Sequence, residues 1–266
     1  MNLLLGADPE VFMKKDGAFI SAHGMVLGSK ERPFPVKDGA VQVDGMALEF
    51  NIDAAGDEAT FIYNIDSVMA QLKAMVPDYE VVAVPVAHFG AEYIASQPDE
   101  AKELGCTPDF NAWTGDENVP PNAELPYRTG AGHVHLGWTE GANPHCPIHY
   151  GSCCAIVKQL DFYLGLVSLV YDTDTERRAM YGKAGAFRPK AYGVEYRTLS
   201  NAWLASPVLT GWVFRAASKA VQATLAGENL TERFGNIEEI INTSDVAAAR
   251  AIIIELDLEV PYGYLG

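Results

Sequence analysis

The sequence predicts an α+β protein built on a mostly antiparallel sheet. Short segments rich in Val, Ile and Phe lie close together early in the chain, and long segments with helical periodicity gather late. This order favours antiparallel pairing, because a parallel sheet would require strands and helices to alternate. With 48% hydrophobic residues in a chain of 266, an ordinary core can be buried, which excludes a disordered or fibrous protein.

The first third of the chain supplies most of the expected strands and one helix. Five short segments bounded by Gly or Asp turns are predicted as strands: residues 9–14, 18–22, 41–44, 47–52 and 80–86. A helix is predicted over residues 58–75, with Asp57 as its N-cap. Its apolar residues recur every three or four positions: Phe61, Ile65, Val68 and Leu72.

A stretch rich in Pro, Gly and Asn separates this part from the later helices. It contains Phe110, Trp113 and Tyr127, which a solvated linker would rarely carry. We therefore interpret residues 105–130 as an ordered surface loop or lid. Beyond it, the pattern predicts strands at 133–138 and 192–199, and helices at 150–171, 208–226 and 246–256.

The charge balance excludes several classes of function. The chain has 19 Lys and Arg against 35 Asp and Glu, a net charge of −16. Neither nucleic-acid backbone binding nor docking on an anionic membrane is expected of such a chain. The sequence contains no long apolar run and no basic leader, and its four cysteines are too few for a disulfide framework. We expect a cytoplasmic globular protein.

Four predicted strands carry polar residues at positions i and i+2: Asp8 with Glu10, Glu49 with Asn51, His133 with His135, and Glu195 with Arg197. Residues at this spacing point to the same face of a strand, about 6.6 Å apart. Carboxylates and imidazoles hold divalent cations, and Arg fits phosphate oxygens. A solvated polar face is the better explanation of any single strand, but together the four indicate a site for metal and phosphate.

The strongest run of positive charge lies between residues 177 and 197. It holds six basic residues: Arg177, Arg178, Lys183, Arg188, Lys190 and Arg197. Interspersed glycines would let this run wrap a polyphosphate, and a basic surface loop is the alternative interpretation. The sequence contains neither a P-loop nor a G-x-G-x-x-G motif, so the usual nucleotide-binding folds are not available.

Other motifs leave alternatives open. The His133-x-His135 pair would also suit a metal-dependent hydrolase, and the whole pattern would suit a non-catalytic nucleotide- or peptide-binding protein. Cys146, His149 and Cys153 have a spacing that a structural zinc could use, but no second half of a paired motif is present. Cys106 is a candidate nucleophile in the loop.

Four motifs in order give the chain a family resemblance: GADPEVF, DGMALEFN, GAGHVHLG and YGKAGAFRPKAYGVEYRTLSN. Over about residues 6–204, the sequence resembles the carboxylate–amine ligases of the glutamine synthetase and glutamate–cysteine ligase superfamily, and most nearly the phage-associated type 2 amidoligases. The resemblance implies a single catalytic domain over residues 1–266. It also implies a curved sheet with helices on its convex side, like the catalytic domain of glutamine synthetase.

The same resemblance implies an activity and a set of ligands. The enzyme would use ATP and two or three Mg²⁺ ions, or Mn²⁺, to join a carboxylate to an amine through an acyl-phosphate. Its substrates would be small molecules or peptides, and an oligomer is compatible with the family. The implied metal ligands are Asp8, Glu10, Glu49, His133 and Glu195, with Asp44 as a further acidic position.

The resemblance also implies which residues contact the phosphates of the nucleotide. The expected nucleotide contacts are His135, Arg177, Arg178, Lys183, Arg188 and Arg197. Of these, Arg188 and Arg197 match arginines that stabilise the transferred phosphate, and they are the expected catalytic residues.

Overall fold

The structure is a computed structural model that describes residues 3–104, 108–120, 122 and 124–264. The strands are β1 Leu4–Lys15, β2 Ala18–Ile20, β3 Phe34–Val36, β4 Gly39–Asp44, β5 Ala47–Ile52, β6 Glu80–Val82, β7 Val86–His88, β8 Phe110–Asn111, β9 Tyr127–Thr129, β10 Gly132–Gly137, β11 Ala186–Lys190 and β12 Gly193–Tyr196. The helices are α1 Glu58–Met75, α2 Ala91–Ala95, α3 Asp99–Lys102, α4 Pro147–Leu160, α5 Glu176–Met180, α6 Pro207–Leu225, α7 Leu230–Phe234, α8 Glu238–Asn242 and α9 Val246–Glu255.

The predicted α+β fold with an antiparallel sheet is confirmed. The large sheet has the order β3-β4-β5-β1-β10-β12-β11-β8, and β2 and β6 also pair with β1. Its strand pairs are all antiparallel in the part of the chain that the structure describes. A small second sheet joins β7 to β9.

Helices cover the apolar face of the large sheet. The α1 helix packs on β4 and β5, α4 packs on β11 and β12, and α6 lies against both helices. Inward-facing residues such as Leu48, Phe50, Leu136 and Val194 are completely buried in this layer. The opposite face, which alternates with it along each strand, is left to carry the polar residues.

The helix over residues 58–75 has the predicted bounds. The Asp57 side chain accepts a hydrogen bond of 2.9 Å from the Thr60 backbone N–H, which makes it the N-cap. The buried side of α1 contains all four predicted residues, Phe61, Ile65, Val68 and Leu72, and also Asn64. The periodicity of the sequence is sufficient to predict this helix, because α1 packs on the sheet through one continuous apolar stripe.

Two other predicted elements are built differently. The expected strand 80–86 is two strands, β6 and β7, which belong to different sheets. The expected helix 150–171 begins earlier, as α4, and continues as a π-helical segment over Asp161–Leu166. That wide turn allows the buried Asp161 carboxylate to accept hydrogen bonds from Tyr196 and Trp113, at 2.7 and 2.6 Å.

The segment expected to wrap a ligand is partly a regular strand. β11 runs from Ala186 to Lys190 and pairs with β12 on one side and β8 on the other. Its Pro189 and its basic residues hide the alternation that identifies a strand. No helix in the described ranges combines the length and the apolar character needed to cross a membrane.

Gly132, at the start of β10, lies against the backbone of a later segment. A Cβ at this position would lie 2.2 Å from the Ser200 carbonyl oxygen and 2.4 Å from the Trp203 indole nitrogen. The same indole nitrogen donates a hydrogen bond of 3.1 Å to the Gly132 carbonyl. The glycine therefore permits a close contact that fixes β10 against residues 200–203.

We predict that Gly132→Ala lowers the free energy of unfolding by about 2 kcal/mol or more, because backbone and indole atoms would have to move. Gly151→Ala is the matched control, since a Cβ on this exposed glycine of α4 meets nothing within 4 Å. It should be neutral or stabilising by about 0.5–1 kcal/mol. Urea unfolding of the three proteins measures the difference, and equal stabilities would contradict the proposed close contact.

Candidate active site

The register of the large sheet brings the predicted polar residues onto one face. Asp8 lies opposite His133 in the β1–β10 pair, and Glu10 lies opposite Glu49 in the β1–β5 pair. In the next pair, Glu195 lies opposite His135. Since directly opposed residues of antiparallel strands share a face, four strands contribute to one polar surface.

Two groups of acidic and imidazole side chains converge on this surface. In the first group, ligand atoms of Asp8, His135 and Glu195 lie within 4.8 Å of one another. Asp8 Oδ1 is 3.0 Å from His135 Nε2 and 3.3 Å from His133 Nδ1. The His133 Nδ1 atom is also 3.6 Å from Glu195 Oε1, so both histidines of the β10 pair adjoin this group.

Two atoms of the first group are buried without an aligned hydrogen bond. Asp8 Oδ1 and His135 Nε2 are close enough for an ion pair, yet neither has a hydrogen-bond partner of suitable angle among the residues described. Burial would lower the pKa of His135, but the charge of Asp8 and its contact with the ring raise it, and a cation between the two side chains would take the place of the imidazole proton. The donor set therefore fits a divalent metal.

The second group consists of Glu10, Asp44 and Glu49, whose carboxylate oxygens also lie within 4.8 Å of one another. Lys30 Nζ is 2.7 Å from Asp44 Oδ2, and the Gln42 amide donates a hydrogen bond of 2.9 Å to Glu49. Three carboxylates with so little opposing charge form a set of oxygen ligands that suits Mg²⁺.

Burial and mutual repulsion change the acidities in the second group. Burial, with the negative charge of Asp44, raises the pKa of Glu10 to about 7. Burial also raises the pKa of Glu49 well above its usual value, with Asp8 and Asp44 adding to the effect. A bound cation would favour the ionised carboxylates and oppose both shifts.

In the first group, the pKa of the carboxylate Asp8 is lowered rather than raised. Burial alone would raise the pKa of Asp8, but the charges of His135 and His133 and their contacts hold it well below its usual value. Burial, together with the charge of Arg197, lowers the pKa of His133 to about 4. His133 is therefore neutral at pH 7, in the form that can bind a metal.

Arg197 joins the acidic surface to the basic segment. Its guanidinium donates hydrogen bonds to Glu195 and to the Tyr181 hydroxyl, and its Nε donates to Asp109 at 3.0 Å. The Tyr181 hydroxyl also lies 3.3 Å from His133 Nε2. Sequence reasoning missed Tyr181, although it opens the YGKAGAF motif in which the neighbouring basic residues were noticed.

Two further cations approach Glu195 from β11. Lys190 Nζ is 2.7 Å from Glu195 Oε2, and Arg188 Nη1 is 3.6 Å from Oε1. Arg188 was predicted as a catalytic residue, whereas Lys190 was noted only as part of the basic run. The alternation of β11 gives both residues the same side of the strand, which could be recognised only once this segment was known to be a strand.

Arg177 and Arg178 do not lie where a phosphate could reach them. They are 1% and 2% exposed and do not line the cavity beside the two acidic groups. Arg177 donates to the carbonyls of Thr198 and Leu199, at 2.8 and 2.7 Å, and Arg178 pairs with Asp172 at 3.2 Å. Their burial disfavours the predicted phosphate contacts, because the Arg177 guanidinium holds the segment after β12 and the Arg178 guanidinium is bonded to Asp172, Ser168 and the Asp174 carbonyl.

The two cysteine predictions have different outcomes. His149 Nε2 lies 2.9 Å from the Lys190 carbonyl and 3.6 Å from Cys153 Sγ, while Cys146 is the N-cap residue of α4. These three residues form none of the converging ligand groups found in the described ranges, which disfavours a zinc site. Cys106 lies outside the residues that the structure describes.

A cavity of about 890 Å³ opens over the polar surface. Its floor contains Asp8, Glu10, Glu49 and His133, and Lys183, Arg188 and Arg197 lie on its basic side. The described parts of the predicted loop, residues 108–120 and 125–129, contribute much of the opposite wall. The size is sufficient for a nucleotide or a comparable ligand.

We predict a pH-dependent effect of Glu10→Gln on the cation-free protein in EDTA. A folded-state pKa of about 7, above the unfolded value of 4.5, means that stability is lost as the pH rises through 7. Relative to the native chain, the variant should gain on the order of 2 kcal/mol of unfolding free energy between pH 5 and pH 8. Glu239→Gln, at an exposed position, should show no such trend, and a parallel pH profile for Glu10→Gln would contradict the raised pKa.

Comparison with known proteins agrees with this geometry. A family model described as phage phiEco32-like COOH.NH2 ligase-type 2 matches residues 114–244, and a search of curated proteins gives no match. The matched range contains β10, the basic segment and β12, and thus two of the four motifs on which the resemblance depends. Over residues 114–244 the chain therefore has the sequence pattern of the phage phiEco32-like type 2 ligases that join carboxyl and amino groups, and the predicted family resemblance is confirmed.

Proposed function

We propose that this protein is an ATP- and Mg²⁺-dependent ligase that activates a carboxylate as an acyl-phosphate and transfers the acyl group to an amine. One observation carries the proposal: Asp8 of the first group, the three carboxylates of the second group, and the basic side chains Lys183, Arg188 and Arg197 line a single cavity. The match to a carboxyl–amine ligase family supports the same activity.

The residues that would hold cations are those of the two converging groups. Asp8 and Glu195, with a histidine of β10, would bind one ion, and Glu10, Asp44 and Glu49 would bind another. Bound Mg²⁺ would neutralise negative charge on the phosphates during transfer. Because β1 contributes a carboxylate to each group, the two sites are adjacent along one strand.

Arg197 is the best placed residue to stabilise the transferred phosphoryl group. It lines the cavity beside His133 and is held by Glu195, Tyr181 and Asp109. A guanidinium fixed in advance loses little conformational entropy when it binds an anion. Lys183 and Arg188 line the same side and add positive charge where a polyphosphate would lie.

The wall formed by residues 108–120 and 125–129 gives the loop a chemical role. An acyl-phosphate is hydrolysed readily if water reaches it, so a covered cavity favours attack by the amine instead. Asp109 connects this wall to the basic side of the cavity, because its Oδ2 atom lies 3.0 Å from the Nε atom of Arg197. Closure of the wall and the placement of Arg197 are therefore linked.

The decisive experiment measures ADP release with ATP, Mg²⁺ and a panel of carboxylates and amines. We expect ADP formation that requires both an acid and an amine. Hydrolysis of substrates without ATP would instead identify the metal-dependent hydrolase, and ligand binding without turnover would identify a binding protein.

We predict that Glu195→Gln reduces ADP release at least 100-fold, because it removes a buried negative charge that Arg197, Lys190 and a cation would share. Circular dichroism should show an intact fold, and Glu239→Gln should retain normal turnover. Near-normal activity of Glu195→Gln would refute the assignment of this carboxylate to the site.

Arg197→Lys keeps the positive charge but cannot maintain three fixed contacts at once. We predict a fall in kcat of about 10- to 100-fold with little change in thermal unfolding. Arg215→Lys is the control, because Arg215 also bridges two carboxylates, Glu58 and Glu259, away from the cavity. Equal kinetics of the two variants would contradict a direct role of Arg197 in phosphoryl transfer.

A further inference from the structure

Lys30 places a positive charge beside the second group of acidic residues, and the proposed mechanism does not use it. Its Nζ lies 2.7 Å from Asp44 Oδ2, and the residue lines the cavity. Asp44 belongs to the group whose carboxylate oxygens lie within 4.8 Å of one another. The ammonium therefore contacts a carboxylate that a cation bound to this group would need.

The turn that carries Lys30 is fixed against β4. The backbone N–H and carbonyl groups of Ser29 and Arg32 exchange two hydrogen bonds of 3.1 Å, with Lys30 in the turn between them. Gly28, just before the turn, has a φ of 105°, and a Cβ on it would lie 2.4 Å from a carbonyl oxygen of β4. This close approach, which glycine permits, holds Lys30 next to Asp44 at the end of β4.

The charge of Lys30 acts on the whole group. Burial would lower the pKa of Lys30, but the negative charge of Asp44 and, less strongly, of the other two carboxylates raises it. Lys30 in turn opposes the raised pKa of Glu10. The ammonium thus compensates one of the three negative charges that the ionised carboxylates of the group carry.

An ammonium in this position discriminates between monovalent and divalent cations. A monovalent ion that replaces it exchanges one positive charge for another, so the ion loses water without a gain in electrostatic energy. A divalent ion brings a second positive charge to three carboxylates, and its gain is correspondingly larger. Because Lys30 is tethered to the protein, it competes at an effective concentration that does not depend on the salt in solution.

We propose that Lys30 is a built-in counter-ion of the second group, which a divalent cation displaces from Asp44 and a monovalent cation does not. Lys30 is thus a specificity-determining residue for the cation. This inference rests on the proposed function, in which the second group binds Mg²⁺. It deepens that function, because it assigns the selectivity for divalent ions to an ammonium as well as to the carboxylates.

The test is Mn²⁺ binding measured by isothermal titration without ATP, which does not depend on turnover. Lys30→Met removes the charge and should bind Mn²⁺ about 10-fold or more tightly than the native chain, whereas Lys30→Arg keeps the charge and should retain the native affinity. The Lys30 side chain is 42% exposed, so neither substitution should disturb the fold. Lys219→Met is the control for the loss of one positive charge, since Lys219 pairs with Glu259 away from the cavity, and it should leave the affinity unchanged.

Two comparisons assign the effect to this group and to its selectivity. Adding Glu49→Gln to Lys30→Met should remove the tightened site, whereas adding Glu195→Gln, in the first group, should leave it. Replacing tetramethylammonium chloride by an equal concentration of KCl should not change Mn²⁺ binding to the native chain. The same replacement should weaken Mn²⁺ binding to Lys30→Met, because K⁺ then competes for the carboxylates.

Several outcomes would overturn the proposal. Equal affinities of the native chain and Lys30→Met would show that the ammonium does not compete, and weaker binding by Lys30→Met would show that it supports Asp44 as a ligand. Competition by K⁺ in the native chain would exclude the selectivity. Failure of both proteins to bind Mn²⁺ would contradict the metal assignment of the proposed function together with this inference. The expected gain in a protein that never releases ADP would contradict the ligase function but leave the role of Lys30 in place.

Discussion

The pairing of β1 with β10 on one edge and with β5 on the other is the constraint on which the candidate site depends. It places Asp8 beside His133 and Glu10 beside Glu49 on one face, while Leu5, Ala7 and Val11 fill the opposite, helix-covered face. Because side chains alternate strictly along a strand, a shift of one residue would bury carboxylates against the helices and expose the apolar set. The hydrophobic layer therefore determines where the charges converge, although it makes no direct contact with a ligand.

The same face concentrates like charges that would repel one another in isolation. Lysine and arginine side chains from other segments relieve part of that repulsion: Lys30 at Asp44, and Lys190 with Arg197 at Glu195. The relief is uneven, since Glu10 and Glu49 retain raised pKa values whereas that of Asp8 is lowered. A site that is incompletely neutralised by its own chain gains the most from cations and anions that bind from solution, which is how stability is exchanged for function at such surfaces.

Sequence reasoning succeeded where a local pattern determines local structure. The period of α1 and the capping by Asp57 are properties of a short segment, and the i, i+2 pairs identified the polar side of β1, β5, β10 and β12. Sequence reasoning failed where the structure of a segment depends on residues far away in the chain. Burial of Arg177 and Arg178 follows from carbonyls and a carboxylate outside their own helix, and β11 is a strand because β12 and β8 flank it. Tyr181 became visible only when the cavity brought separate segments together.

The hydrogen bond from the Ala131 backbone to the Glu10 side chain connects residues 121 positions apart. During synthesis, β1 therefore leaves the ribosome long before β10, and one edge of the central strand stays without its partner while the intervening chain is made. Closing so long a loop carries a large entropic barrier, and topologies of this kind fold slowly. Until closure, the unpaired edge of β1 is a template for strands of other molecules. The half of the charged face that lies on β10 and β12 is therefore completed only after this edge has closed, and until then the nascent chain is vulnerable to aggregation.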